Sequence, residues 1–440
     1  MLSRPKYLHK KGDFTVGMTI TEKILAKHAG KEKVAPGEIV DVQVDYVMGN
    51  EVSGILAIEE FAKIGVDKVF DQKKIIIVPS HTTPAKDIRT AEILKTLREW
   101  CRKMGVEFVE VGRSGIEHVI LPERGLVAPG ELIVGGDSHT CTYGALGCFS
   151  TGIGSTDLAC TMATGKTWLR VPETIKFVYH GKLPKWVEGK DLILFTLGKI
   201  GMDGGTYKAL EFTGEAIAGL PMHERLTVTN MTIEGGGKNG IMIPDAVTKA
   251  YVEQRVKRPY TIYNSDPDAK YAKVFEWDVS KLEPQIAFPY SPDNVHPISD
   301  IKENIKIDQV VIGSCTNGRY EDLNEAAQII KGRTINPETR VVILPGSQEV
   351  YLQAVKTGVI EIFAEAGISV SPPTCGACFG GHMGIVASGE VCLSTTNRNF
   401  RGRMGHPEAR VYLCNPAVAA ASAVAGYIVH PKDVAGKVPA

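Results

Sequence analysis

The sequence predicts an α/β fold with mainly parallel sheets, and three observations carry the prediction. Strand-length apolar runs alternate with helix-length amphipathic stretches along most of the chain. Several of the runs stop at clusters of Gly, Ser, His and Asp, where open parallel sheets present polar groups to ligands. A late stretch, NPAVAAASAVAGYIV, reads as a helix of small residues packed closely on a neighbour.

Taken in order, residues 19–29 have helical spacing, with Thr19 or Thr21 as the cap. Residues 37–48 read as one strand and residues 53–65 as a helix. The run KIIIV at 74–78 is a buried strand that stops at Pro79-Ser80-His81. An amphipathic helix covers 87–104, and short strands cover 108–111 and 132–134. The latter ends in Gly135-Gly136-Asp137-Ser138-His139-Thr140. A Gly-rich turn, TGIGST, then caps a helix through Ser155 or Thr156. Residues 228–233 read as a strand leading to Glu234, and the Pro-, Asp- and Asn-rich residues 260–300 as the link between two lobes. From residue 307 the rhythm restarts with DQVVIGSCTN, a helix over 321–331 and the strand RVVILPG.

Composition narrows the function. The 440 residues suffice for two or three domains. Lys+Arg and Asp+Glu are both 50, so no overall field favours nucleic acid or an anionic membrane. No apolar run approaches the roughly 20 residues of a membrane span. Nine cysteines without a signal-like segment point to a reducing compartment, so a cytoplasmic protein is expected.

Three motifs carry chemistry. Cys315, in Gly313-Ser314-Cys315-Thr316-Asn317, and the pair Cys375 and Cys378 supply three thiols in Gly-rich surroundings. Three soft ligands suit an iron–sulfur cluster with one iron left open, and small neighbours let backbone approach it. Unrelated core cysteines and a structural zinc site, with His382 drafted as fourth ligand, are the alternatives. The second motif is a set of strand-end or turn residues: His81, His118, Asp137, Ser138, His139 and Glu234. Imidazole beside carboxylate is the usual arrangement for proton transfer near neutral pH. The third is Asn397-Arg398-Asn399-Phe400-Arg401-Gly402-Arg403, where Arg398 and Arg403 suit a substrate with several carboxylates. Gly235-x-Gly237-x-x-Gly240 is a decoy for a dinucleotide site, because Pro244 leaves no helix to hold a pyrophosphate.

The stretches GGDSHTCTYGALGCFSTGIGSTDLA, TIEGGGKNG, IGSCTNGR, TCGACFGGHMG and STTNRNFRGRMGHP resemble the aconitase superfamily, most closely its isopropylmalate-isomerising branch of large subunits. The resemblance runs from about Met18 onward. It implies three α/β domains, over 18–172, 173–300 and 301–440, after an extension at 1–17. It further implies one [4Fe-4S] cluster held by Cys315, Cys375 and Cys378, with one iron not ligated by cysteine. In such a site His81 protonates a leaving hydroxyl, while His118, Asp137, His139 and Glu234 form the network around it. Arg398 and Ser138 would bind substrate; Asn317, Asn397 and Arg403 would support the cluster. The expected activity is a hydro-lyase of leucine biosynthesis that interconverts 2- and 3-isopropylmalate. Homoaconitate, citramalate and 2,3-dimethylmalate are alternative substrates, and an iron-sensing RNA-binding protein is an alternative of another class.

Two departures from the resemblance matter. The mobile fourth domain of single-chain aconitases has no counterpart here, so a separate small subunit is expected to supply it. The family usually places Asp directly before the acid His, whereas this chain has Ser80-His81. Either another acid replaces that carboxylate from elsewhere, or the substrate differs.

Overall fold

The computed structural model describes residues 17–435. The expected extension at 1–17 lies, except for Gly17, outside the described residues. Three larger sheets and one small ribbon organise the chain. The first sheet is parallel throughout, in the order Glu107–Phe108, Ile75–Ile77, Tyr46–Gly49, Leu132–Gly135, Phe149–Gly152. The second is also parallel: Asn239–Met242, Ala209–Thr213, Thr174–His180, Lys273–Asp278. The third has seven strands, parallel except at the edge made by Val295–Pro297 and Gln285–Ala287. The chain is thus α/β with mainly parallel sheets, as the alternation predicts.

The apolar runs become fully buried strands because helices cover both sheet faces. Ile75, Ile76 and Ile77 are at most 1% exposed, which removes the alternation a half-buried strand would show. The helices Glu51–Ile64, Ile88–Met104 and Ser155–Thr164 place Ala57, Phe61, Leu97, Cys101, Leu158 and Met162 in one core with Val47, Ile75, Ile77 and Val134. The second and third sheets share a core in which Phe177, Phe212 and Leu192 pack with Val311, Leu344 and Leu413. The late small-residue helix is confirmed as Pro416–Ala425, buried along Pro416–Ala423 and capped by Asn415.

Four local readings change. Residues 37–48 form two strands, Ile39–Gln43 and Tyr46–Gly49, in different sheets. Residues 228–233 are not a strand: they close the helix Met222–Asn230 and begin the turn Met231–Gly235. The run TVTNMTI is β-branched, but its hydroxyls find buried carbonyls on neighbouring elements. Thr227 Oγ1 donates to the Thr316 carbonyl at 2.6 Å and Thr229 Oγ1 to the Thr142 carbonyl at 2.7 Å. The Pro-rich residues 260–300 carry the strands Lys273–Asp278, Gln285–Ala287 and Val295–Pro297. Outside the three-thiol motif the remaining cysteines, Cys101, Cys141, Cys148, Cys160, Cys392 and Cys414, are expected as core thiols, and of these Cys160 is exposed.

Candidate active site

Three neighbouring strands of the first sheet deliver their C-terminal ends to one place. Tyr46–Gly49 runs into Asn50 and Glu51, Ile75–Ile77 into Ser80 and His81, and Leu132–Gly135 into Asp137, Ser138 and His139. Two neighbouring strands of the third sheet do the same from the other side. Gln309–Gly313 runs into Ser314 and Cys315, and Val391–Ser394 into Thr395, Asn397 and Arg398. The cavity between them is lined by His81, His118, Asp137, His139, Cys315, Cys375, Cys378, Asn397 and Arg403, among others. Sequence positions more than 300 residues apart therefore meet, as the motifs predict.

Cys315 leaves its strand through a sharp turn, with Gly313 at φ 131° and Ser314 at φ 75°. A Cβ at Gly313 would sit 2.1 Å from the Leu344 carbonyl, so only glycine fits there. Two amides aim at the Cys315 sulfur: Asn230 Nδ2 and Asn397 Nδ2, each at 3.3 Å. Cys378 Sγ lies 3.4 Å from Asn397 Oδ1. Burial, with Cys378 nearby, pushes the Cys315 thiol up to about 12, and burial raises Cys375 well above its ordinary range. Buried thiols in this state call for a cationic centre to become thiolates. Arg403 Nε is buried without a hydrogen-bond partner among the described residues. Three facing thiols, amide donors on sulfur and an orphaned guanidinium N–H fit an anionic iron–sulfur cluster.

The acid–base groups form one connected network. His81 Nε2 is 3.7 Å from Asp137 Oδ2, and the ring packs edge-on against Phe379 at 5.1 Å. Asp137 Oδ1 contacts His118 Nε2 at 2.9 Å and accepts from the His139 backbone N–H at 2.8 Å. His139 Nε2 meets Glu234 Oε1 at 2.9 Å, and Arg398 Nε donates to the same oxygen at 2.7 Å. Arg398 Nη2 donates to Ser138 Oγ at 3.0 Å. Burial disfavours the imidazolium of His81, but the charges of Glu117, Glu51 and Asp137 outweigh it and raise its pKa. Burial would also raise Asp137, yet hydrogen bonds from His118 and His139 hold it well below the carboxylate range.

Of the expected support residues, Asn397 touches Cys315 and Arg403 lines the cavity. Asn317 stands one step back: it donates to Asp322 at 3.0 Å and accepts from Lys190 Nζ at 3.4 Å. His118 and Glu234 sit on helical turns, His118 in Glu117–Glu123 and Glu234 in Met231–Gly235. Sequence reasoning missed Glu51, Glu117, Asn230, Lys190 and Arg319. Lys190 is fully buried and donates to the Thr395 and Thr396 carbonyls at 2.7 Å each. Arg319 donates to the Cys315 and Thr316 carbonyls at 3.0 Å each. Asn230 was hidden by the strand reading of 228–233; the others lack a local signal.

The fold and site define a class: an α/β protein with a buried three-thiol centre beside a histidine–carboxylate network. Comparison with known proteins then places the chain. It belongs to the aconitase family: the family model described as "Aconitase family (aconitate hydratase)" matches residues 22–426. The family implies an iron–sulfur cluster. The chain is 59% identical over 420 residues to the 3-isopropylmalate dehydratase large subunit of Thermodesulfovibrio yellowstonii, covering 95% of this chain and 100% of that one. It is 61% identical to large subunit 1 of the same name from Pyrococcus furiosus, covering 95% and 99%, and 59% identical to that of Halothermothrix orenii, covering 95% and 100%.

Proposed function

We propose that the chain is the large, catalytic subunit of an isopropylmalate isomerase, a hydro-lyase that interconverts 2- and 3-isopropylmalate by dehydration and rehydration in leucine biosynthesis. The observation that carries this reading is the convergence of three thiols and the His81–Asp137–His118/His139–Glu234 network on one cavity. The relatives' shared name supports the substrate.

Cys315, Cys375 and Cys378 would hold a [4Fe-4S] cluster with one iron free of cysteine. When bound, that cluster supplies a Lewis acid that takes up negative charge as a hydroxyl departs. The chain's own residues do the rest. His81 Nε2 faces the cavity and delivers the proton to the leaving hydroxyl; in rehydration it takes that proton back. Arg398 uses Nε and Nη2 on Glu234 and Ser138, which leaves Nη1 to grip a substrate carboxylate. Glu234 and Ser138 therefore orient the guanidinium before substrate arrives.

A separate small subunit would bring the mobile fourth domain and the base that removes the carbon-bound proton. We place the complex in the cytoplasm; the nine cysteines are all free, which fits a reducing compartment. No helix among the described residues is long and apolar enough to cross a membrane.

The test is an anaerobic assay of the cluster-reconstituted chain with its small subunit, following enoate formation by ultraviolet absorbance. The panel is 3-isopropylmalate, citramalate, homocitrate, 2,3-dimethylmalate and citrate. A clear preference for 3-isopropylmalate is expected. Turnover of another diacid alone would overturn the substrate, and silence with an intact cluster would overturn the substrate class.

A further inference from the structure

The loop carrying His81 is pinned by two carboxylates. Glu51 Oε2 accepts from the Ser80 N–H at 2.9 Å, and Glu51 Oε1 accepts from the Thr82 N–H and from Thr82 Oγ1. Glu117, 0% exposed, instead reaches the imidazole through a hydroxyl. Its Oε2 accepts from Ser80 Oγ, and Ser80 Oγ lies 3.1 Å from His81 Nδ1. Its Oε1 accepts from Asn50 Nδ2 at 3.1 Å. We propose that Asn50, Glu117 and Ser80 form a hydrogen-bond chain whose donors converge on the Glu117 carboxylate and that fixes His81 with its proton on Nδ1, Glu117 serving as the positioning carboxylate that the residue before His81 does not provide.

The direction follows from donor inventory, starting at a helix N-terminus. Asn50 caps the helix Glu51–Ile64: its Oδ1 accepts from the Val52 and Ser53 N–H groups and from Ser53 Oγ, each at 3.0 Å. That oxygen is committed, so Asn50 must present its NH2 to Glu117. A carboxylate only accepts, so Glu117 takes the single hydroxyl proton of Ser80. Ser80 Oγ then has only lone pairs to offer, and His81 Nδ1 must donate to them. Nε2, facing Asp137 and the cavity, is left free to give and take a proton. Glu51 cannot do this, because its oxygens serve backbone and Thr82, and its nearest approach to Nδ1 is 3.9 Å. The serine before His81 therefore relays a carboxylate from Glu117–Glu123 instead of replacing it. The catalytic consequence rests on His81 being the leaving-group acid; the tautomer itself does not.

Glu117→Gln reverses the leg that runs through Ser80 to His81. The new amide would turn its oxygen to Asn50 and its NH2 to Ser80, whose hydroxyl then donates to Nδ1 and moves the ring proton to Nε2. The first measurement is 15N NMR of the histidine-labelled full chain at alkaline pH, with the His81 signals identified by their loss in His81→Asn. Wild type is expected to show a protonated Nδ1 and a bare Nε2, and Glu117→Gln the reverse. The second is kinetics of the reconstituted complex on 3-isopropylmalate. Glu117→Gln should lower kcat roughly 10- to 100-fold with KM within about twofold, since general acid–base catalysis is worth about 10²–10⁴. Ser80→Asp combined with Glu117→Gln, which moves the carboxylate next to His81, should restore most of kcat. If Glu117→Gln does not fold, Ser80→Ala cuts the same chain and should lower kcat alike, with iron and sulfide content as the control for a folded, loaded enzyme. A wild-type ring protonated on Nε2, an unchanged tautomer in Glu117→Gln, or no restoration in the double variant would overturn the proposal. A wild type silent on the substrate panel would sink the functional reading while the NMR result still decides the tautomer.

Discussion

Arg398→Lys is the most direct probe of substrate binding. The arginine side chain is 18% exposed and spends two of its five N–H bonds on Glu234 Oε1 and Ser138 Oγ, at 2.7 and 3.0 Å. Burial opposes its charge, but Glu234 and Asp137 hold it firmly protonated. A lysine ammonium is a point donor and cannot keep Glu234, Ser138 and a substrate carboxylate in one plane. Losing one hydrogen bond to a charged group costs about 1.5–3 kcal/mol. At about 1.4 kcal/mol per decade this is a roughly 10- to 150-fold loss in kcat/KM, mostly in KM if the contact is equal in ground and transition states. Steady-state kinetics of the reconstituted complex measure it, with iron and sulfide content as the control for an intact centre. Wild-type kcat/KM in a fully loaded Arg398→Lys enzyme would refute the assignment of Arg398 to the substrate.

Three further outcomes are expected. Cys315→Ser should abolish stable cluster assembly, because it removes one of three thiols and the sulfur that Asn230 and Asn397 address; iron and sulfide analysis after reconstitution reads this directly. Lys190→Met should destabilise the chain by about 2–5 kcal/mol in denaturant melts, since it strips a donor from two buried carbonyls at Thr395 and Thr396. Burial pushes Glu224 up to about 7, against the pull of the Gly189 N–H. The folded state then binds the proton more tightly than the unfolded one, so this group's stabilisation is full below about pH 4.5 and lost as pH rises through 7. Glu224→Gln should therefore flatten the fall of Tm across that window and melt higher than wild type at pH 8.

The sequence revealed the site where chemistry is written locally. Cys375-x-x-Cys378, Asp137-Ser138-His139 and Arg398 each stand in a stretch whose neighbours announce a strand end or tight turn, and all line or adjoin the cavity. Glu117 was illegible because it acts across 37 residues through a serine hydroxyl, and nothing in GIEHVIL distinguishes it from a surface helix residue. Asn230 was lost to a wrong period: threonines that favour strands in isolation donate to buried carbonyls of neighbouring elements here, and tertiary burial decides between the two. Residues 37–48 were fused because the break at Val44-Asp45 lacks Gly or Pro, yet Asp45 is a junction. Its carboxylate meets His28 Nε2 at 2.6 Å and the Leu132 N–H at 2.9 Å, tying the break to the helix Ile20–His28 and the strand Leu132–Gly135.

The sulfur of Cys315 depends on an asparagine 85 residues earlier and another 82 residues later. During synthesis the centre therefore cannot mature piecemeal. Cys315, Cys375 and Cys378 leave the ribosome before Asn397, Arg398 and Arg403, and until those arrive the thiols lie open to oxidants and to any passing soft metal. On the proposed assignment of these thiols, cluster delivery waits for residues 397–403 to be made and folded against Cys315.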